Sequence, residues 1–141
     1  MRMAITTLQL IKTDLPKIAV LGDMLELGKY SEEEHAKIGE FVATFADGLV
    51  VVGRRARTIA EAAIKAGMPN DYIQLYTNSV DAGAAMAKIV GKGDIILVKG
   101  SQGSGDNMIR MERATKQMMK NIGDAEKLLV RQDYEWQRQY K

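Results

Sequence analysis

The sequence predicts a three-layer α/β/α fold built on a mainly parallel sheet of about four strands. Three observations predict it. Four short runs rich in Val, Ile and Leu recur along the chain, each is followed by a stretch with helical apolar spacing, and glycine-bearing loops follow the first and last runs. The first, second and fourth runs are almost continuously apolar, which suits strands covered on both faces.

An opening stretch over 2–12 carries Ile5, Leu8 and Ile11 at helical spacing, and Asp14-Leu15-Pro16 breaks it. The first strand is Lys-Ile-Ala-Val-Leu at 17–21. Ser31 with Glu34 forms a capping-box signature for the next helix, whose Ile38, Phe41, Val42 and Phe45 share a face. Gly-Leu-Val-Val-Val at 48–52 is the second strand; a helix over 54–66 then stops at Gly67, with Pro69 just beyond. Residues 71–76 alternate, with Gln74 interrupting, and read as an edge strand. Ser79 can cap a helix that runs to Val90, and 94–98 form the fourth strand. Asp106 or Asn107 can open a helix with Met108, Met111, Thr115 and Met118 inward; the recurring methionines read as core filler. Asp124 can cap a last helix in which Leu128, Leu129, Gln132, Trp136 and Tyr140 recur near one face.

Right-handed crossovers then give the order 3-2-1-4, a Rossmann-like unit with the first strand central. One domain is expected over 1–141: an N-terminal helix and connector (1–16), a Rossmann-like core (17–122) and a C-terminal helix (123–141). Apolar residues at 46% and charged residues at 27% are ordinary for a globular domain and exclude a disordered chain. With 20 Lys+Arg against 18 Asp+Glu the net charge is +2, and no continuous basic stripe points to nucleic acid. Arg110, Arg113, Lys116 and Lys120 read as the solvated side of a helix. No apolar run is long enough to span a membrane, no secretory leader is visible, and cysteine is absent, so a cytoplasmic domain is expected. One histidine and no cysteine exclude a His- or Cys-rich metal cluster.

In open α/β sheets, ligands collect beyond the carboxyl ends of the strands where the strand order reverses. The loops 22–28 and 99–107 meet there under the 3-2-1-4 order, bringing Asp23, Glu26, Lys99, Ser101 and Gln102 into one region. The first loop is not a dinucleotide fingerprint, because two acids lie between Gly22 and Gly28. Asp23 and Glu26 suit an ammonium group, a ribose hydroxyl or a magnesium-bound water; equally, they can cap the turn by bonding backbone N–H groups. The second loop, with Lys99 and a following helix start, suits an anion, although no Walker sequence is present; alternatively Lys99 bonds the neighbouring loop. His35 reads more readily as a half-buried residue bonded to the adjacent loop than as a general base. Arg54, Arg55 and Arg57 cluster after the second strand, as a solvated face or as a contact to a phosphate or a neighbouring domain. A receiver domain is disfavoured, because the third strand ends Tyr76-Thr77-Asn78 and offers no phosphoacceptor aspartate.

The run over 17–28, with Ser31-Glu-Glu-Glu-His35, Val52-Gly53, Val98-Lys-Gly-Ser-Gln102 and Met111-Glu112, resembles the C-terminal domain of the Mur ligase family. Within it the closest pattern is the MurF branch, which adds D-alanyl-D-alanine to UDP-MurNAc-tripeptide. The resemblance implies an ATP- and magnesium-dependent amide ligase of peptidoglycan synthesis, whose central domain holds the phosphate loop and forms an acyl phosphate. The C-terminal domain would close over that site, partnered by the N-terminal and central domains. Asp23 and Glu26 would then orient the dipeptide amine or the nucleotide side; Lys99, Ser101 and Gln102 would face the dipeptide or phosphate region; His35 would brace the first loop. No Gly-Lys-Thr/Ser loop occurs in the sequence, so no residue is assigned as catalytic or metal-binding, and isolated catalysis is not expected. Gly103-Ser-Gly-Asp106 reads as an insertion, natural or engineered, relative to the family pattern, and the methionine start with the missing domains suggests an excised or redesigned domain. The alternative is a natural or engineered non-catalytic scaffold derived from it.

Overall fold

The protein is described as a computed structural model over residues 1–101 and 109–133. Its sheet has four parallel strands, β1 (Lys17–Gly22), β2 (Gly48–Val52), β3 (Ile73–Tyr76) and β4 (Ile95–Lys99), in the order β3-β2-β1-β4. Val20 of β1 pairs with Val50 of β2 on one side and Val98 of β4 on the other. The chain therefore leaves β1 in one direction and returns on its other flank with β4, which makes the carboxyl end of β1 the switch point.

Two apolar layers cover the sheet. Ala19, Leu21, Leu49 and Val51 face one side, where Ile5 and Leu8 of α1 (Arg2–Leu10), Ile38 and Val42 of α2 (Ser31–Val42), and Ile59 and Ala63 of α3 (Arg57–Lys65) are packed on them. Val20, Val50 and Val52 face the other, under Ala82 and Met86 of α4 (Ser79–Met86) and Met111 of α5 (Met111–Met118). Burial of alternate residues on opposite faces is why these strands read as unbroken apolar runs. β3 is the half-exposed edge, with Leu75 outward.

Several expected boundaries and caps are corrected. The Ser31–Glu34 capping box does not form: a short 3₁₀ turn, Gly28–Tyr30, runs straight into α2, so Ser31 already has helical dihedrals. Glu34 instead pairs with Lys37, as does Glu33, and the two carboxylates hold that exposed ammonium charged well above its ordinary value. α4 is capped by Asn78, whose side chain accepts from the Asp81 amide at 2.9 Å, while Ser79 is a buried first residue of the helix. α4 ends at Met86, and 87–90 continue as hydrogen-bonded turns. Residues 70–72 form a 3₁₀ turn ahead of β3, and Ile11 lies beyond α1 and is partly exposed.

The C-terminal reading changes most. Among the described residues the last helix is only α6 (Ala125–Leu128), because Leu129 is already extended. A four-residue helix offers one inward position, Ala125, and Leu128 is 71% exposed. Met108, Trp136 and Tyr140 lie outside the described residues, as do Asp106 and Asn107. Arg110 is not on a solvated face: it precedes α5 in an extended conformation, off the helical wheel, and is only 4% exposed.

Candidate functional site at the sheet switch point

The loop after β1 is fixed at three consecutive residues. The Asp23 carboxylate accepts from the Ala56 amide at 2.7 Å, joining the loop to the residue that precedes α3. The Met24 amide donates to His35 Nε2 at 3.0 Å, and the Leu25 amide donates to Ser101 Oγ at 2.9 Å. The Ser101 amide in turn donates to the Asp23 carbonyl at 2.9 Å. The loops after β1 and β4 are thus cross-bonded through both backbone and side chain.

His35 is fully buried. Its Nδ1 lies 2.6 Å from the Ser31 carbonyl, which can only accept, so Nδ1 carries the proton and Nε2 is free to accept from Met24. Both ring nitrogens are committed to holding backbone. Close approach of the two loops also needs their glycines. A Cβ on Gly22 would lie 2.9 Å from Met111 Sδ, and one on Gly100 would lie 2.7 Å from Met111 Cγ. Met111 fills the notch these residues leave.

Of the sequence candidates, Asp23, Ser101 and His35 converge on this brace. Lys99 is exposed, its Nζ 3.3 Å from the Gly100 carbonyl. Glu26 is also exposed and has φ +68°, a left-handed conformation that is uncommon for glutamate. Gln102 and the 103–106 run lie outside the described residues. Among the described residues, no group of three or more His, Cys, Asp and Glu is arranged to hold a metal ion.

Sequence spacing alone does not show one feature of the site. Beside the brace is a cleft of about 950 Å³, with Asp23, Gly53, Arg54, Arg55, Asn78 and Arg113 on its walls. The arginines come from the loop after β2 and the first turn of α5, so only the folded chain places them together. A second concavity, about 740 Å³ between α2 and α3, is lined largely by Glu32, Glu33, Glu40, Glu61 and Lys65, away from the switch point.

Residues 1–102 match the family described as Mur ligase, glutamate ligase domain. The chain belongs to that family. The UDP-N-acetylmuramoyl-tripeptide–D-alanyl-D-alanine ligase of Bacillus subtilis (strain 168) is 33% identical to this Mur ligase domain over 106 residues, covering 74% of the chain and 22% of the relative. The crystal structure of MurF ligase from Thermotoga maritima in complex with ADP superimposes with a TM-score of 0.61 and 26% identity, over 89% of this chain and 26% of that one. MurF from Acinetobacter baumannii shares the fold, with a TM-score of 0.64 at 22% identity, over 85% of this chain and 25% of that one. The chain therefore spans about a quarter or less of the proteins it matches. The loop motifs that suggested a Mur ligase led to the right family and fold. No helix among the described residues is long and apolar enough to cross a membrane.

Proposed function

We propose that the chain, taken over 1–141 as a single domain, is the closing domain of a ligase that joins D-alanyl-D-alanine to UDP-MurNAc-tripeptide with ATP. The observation that supports it most is the cross-braced switch point: a domain that closes on a reaction must present a preformed ligand face, because a floppy one would spend binding energy on ordering itself. Asp23, Ser101 and His35 act as positioning residues that hold 22–28 in shape. Glu26 and Lys99, exposed on the same rim, offer a carboxylate for the dipeptide ammonium and an ammonium for its carboxylate or for a phosphate. Gln102 lies outside the described residues, and the family pattern assigns it to the dipeptide or phosphate region.

ATP and magnesium belong to the proposed whole enzyme, where they supply activation of the substrate carboxylate. Among the described residues no three carboxylates or histidines cluster to hold a magnesium ion. The contribution of this chain is to orient and enclose. The partners in this reading are the nucleotide-binding central domain and the N-terminal domain of the ligase, working in the cytoplasm where nucleotide-linked precursors are made.

A domain exchange tests this reading. The corresponding domain of the Bacillus subtilis relative is replaced by this chain, with the native domain rejoined identically as the control. D-alanyl-D-alanine-dependent phosphate release is expected in the chimera, reduced about tenfold or more by Glu26→Gln together with Lys99→Gln. A folded chimera with no ligation above the domain-deleted enzyme would overturn it.

A further inference from the structure

We infer that Met111 is a positioning residue: seated on Gly22 and Gly100, its side chain sets the spacing of the loops that carry Glu26 and Lys99. The substrate it serves rests on the ligase reading; the geometry rests on the packing alone. Glycine stands at three strand ends here: Gly22 closes β1, Gly53 follows β2 and Gly100 follows β4. A Cβ on Gly22 would meet Met111 Sδ at 2.9 Å and Cγ at 3.1 Å, and one on Gly100 would meet Cγ at 2.7 Å. One on Gly53 would overlap Ile109 Cδ1. The segment 109–111 therefore lies across the carboxyl ends of β1, β2 and β4 together.

Of the three glycines only Gly53 has a left-handed φ, +111°. At Gly22 and Gly100 it is the approach of Met111, and of each loop to the other, that excludes a side chain: a Cβ on Gly22 would also stand 3.4 Å from Gly100 Cα. Glycine loops are loose unless something packs on them, and an unbranched thioether reaches into a notch where a branched side chain does not. Met111 is only 7% exposed and is itself held firmly. It opens α5, whose Ala114 sits on Gly83 of α4, so close that a Cβ there would lie 2.7 Å from Ala114 Cα. The other flank of α5 is tied down by Glu112 to Arg131 at 3.0 Å and Lys116 to Gln132 at 3.0 Å. A fixed helix thus fixes both loops. Lys99 directly precedes Gly100, and Glu26 lies in the loop that Gly22 begins, so displacement at either glycine moves the charged rim.

The test compares Met111→Ala and Met111→Val, which do not reach Gly22, with Met111→Leu, which keeps about the same volume. In the chimera with the Bacillus subtilis ligase, the two short variants should raise KM for D-alanyl-D-alanine about tenfold, with kcat changed less than about twofold; leucine should restore the parent KM. In the chain alone, the Met24, Leu25 and Ser101 amides, all hydrogen-bonded in the brace, should exchange faster in the short variants while β2 amides do not, and leucine should restore their protection. If Met111→Ala does not fold, the milder Met111→Val carries the comparison. An unchanged KM in a folded Met111→Val chimera, a leucine variant as impaired as valine, or acceleration spread evenly across the sheet would make Met111 core filler and overturn the inference. A chimera that does not ligate even with Met111 in place removes the ligase reading instead, and the exchange pattern of the chain alone then decides the positioning role.

Discussion

Replacing His35 with alanine should cost the fold about 3 kcal/mol, the sum of a buried cavity and the Met24 amide left without its side-chain partner. The Met24 amide loses the side-chain nitrogen it donates to, and the Ser31 carbonyl keeps only its backbone bond within α2. The expected result in urea is a lower midpoint with an unchanged slope. The local effect is more telling. Hydrogen exchange at Met24 should accelerate well beyond what the global loss explains, because the loop it belongs to is released from α2 before the sheet opens. An unchanged midpoint, or equal acceleration across the sheet, would show that His35 is merely filling space.

The second large effect is at Gly39. A Cβ there would overlap the Ile59 carbonyl and stand 2.9 Å from Ala62 Cβ, on the line where α2 crosses α3. Alanine gains about 1 kcal/mol of helix propensity over glycine, yet forcing two packed helix backbones apart costs about 3 kcal/mol. The clash wins, and Gly39→Ala should lower stability by about 2 kcal/mol net, read from the same urea midpoint. A stabilised variant would mean that α2 and α3 are farther apart than described. Because α2 carries His35, a forced separation should also perturb the Met24 amide.

The fold was legible because its cause is local and repeated. Val20, Val50 and Val98 sit in runs that only a doubly covered parallel strand tolerates, and the crossover rule turns four such runs into one order. The meeting of the two loops followed from that order. What the site residues do there did not follow, because each bond joins distant positions: Asp23 to Ala56 spans 33 residues, and Ser101 to Leu25 spans 76. A carboxylate or hydroxyl in a glycine-bearing loop looks the same whether it will hold backbone or a ligand. The cleft was missed for a similar reason. Arg54 and Arg113 each look like an ordinary solvated charge, and only the packing of α5 across the sheet shows that they share a wall. Arg110 was misplaced because a helical wheel assumes helical dihedrals, and its residue has φ −89° and ψ 93°.

Helix capping shows the same limit at shorter range. Ser31 and Ser79 are both good cap residues in composition, and both turn out to lie one residue inside their helices. At α4, Asn78 takes the cap because it is the residue with extended dihedrals. At α2, the preceding 3₁₀ turn leaves no extended residue for any side chain to cap from.

The most direct measurement of the central claim, that residues 22–28 and 99–101 form a preformed ligand face, is an amide-resolved titration of the chain with ADP–magnesium and, separately, D-alanyl-D-alanine. Shifts concentrated at Met24, Leu25, Glu26, Lys99 and Ser101, with the rest of a well-dispersed spectrum unmoved, are the expected result. A well-dispersed spectrum in which neither ligand moves those amides would contradict the claim and leave a stable Mur ligase fold serving as a scaffold.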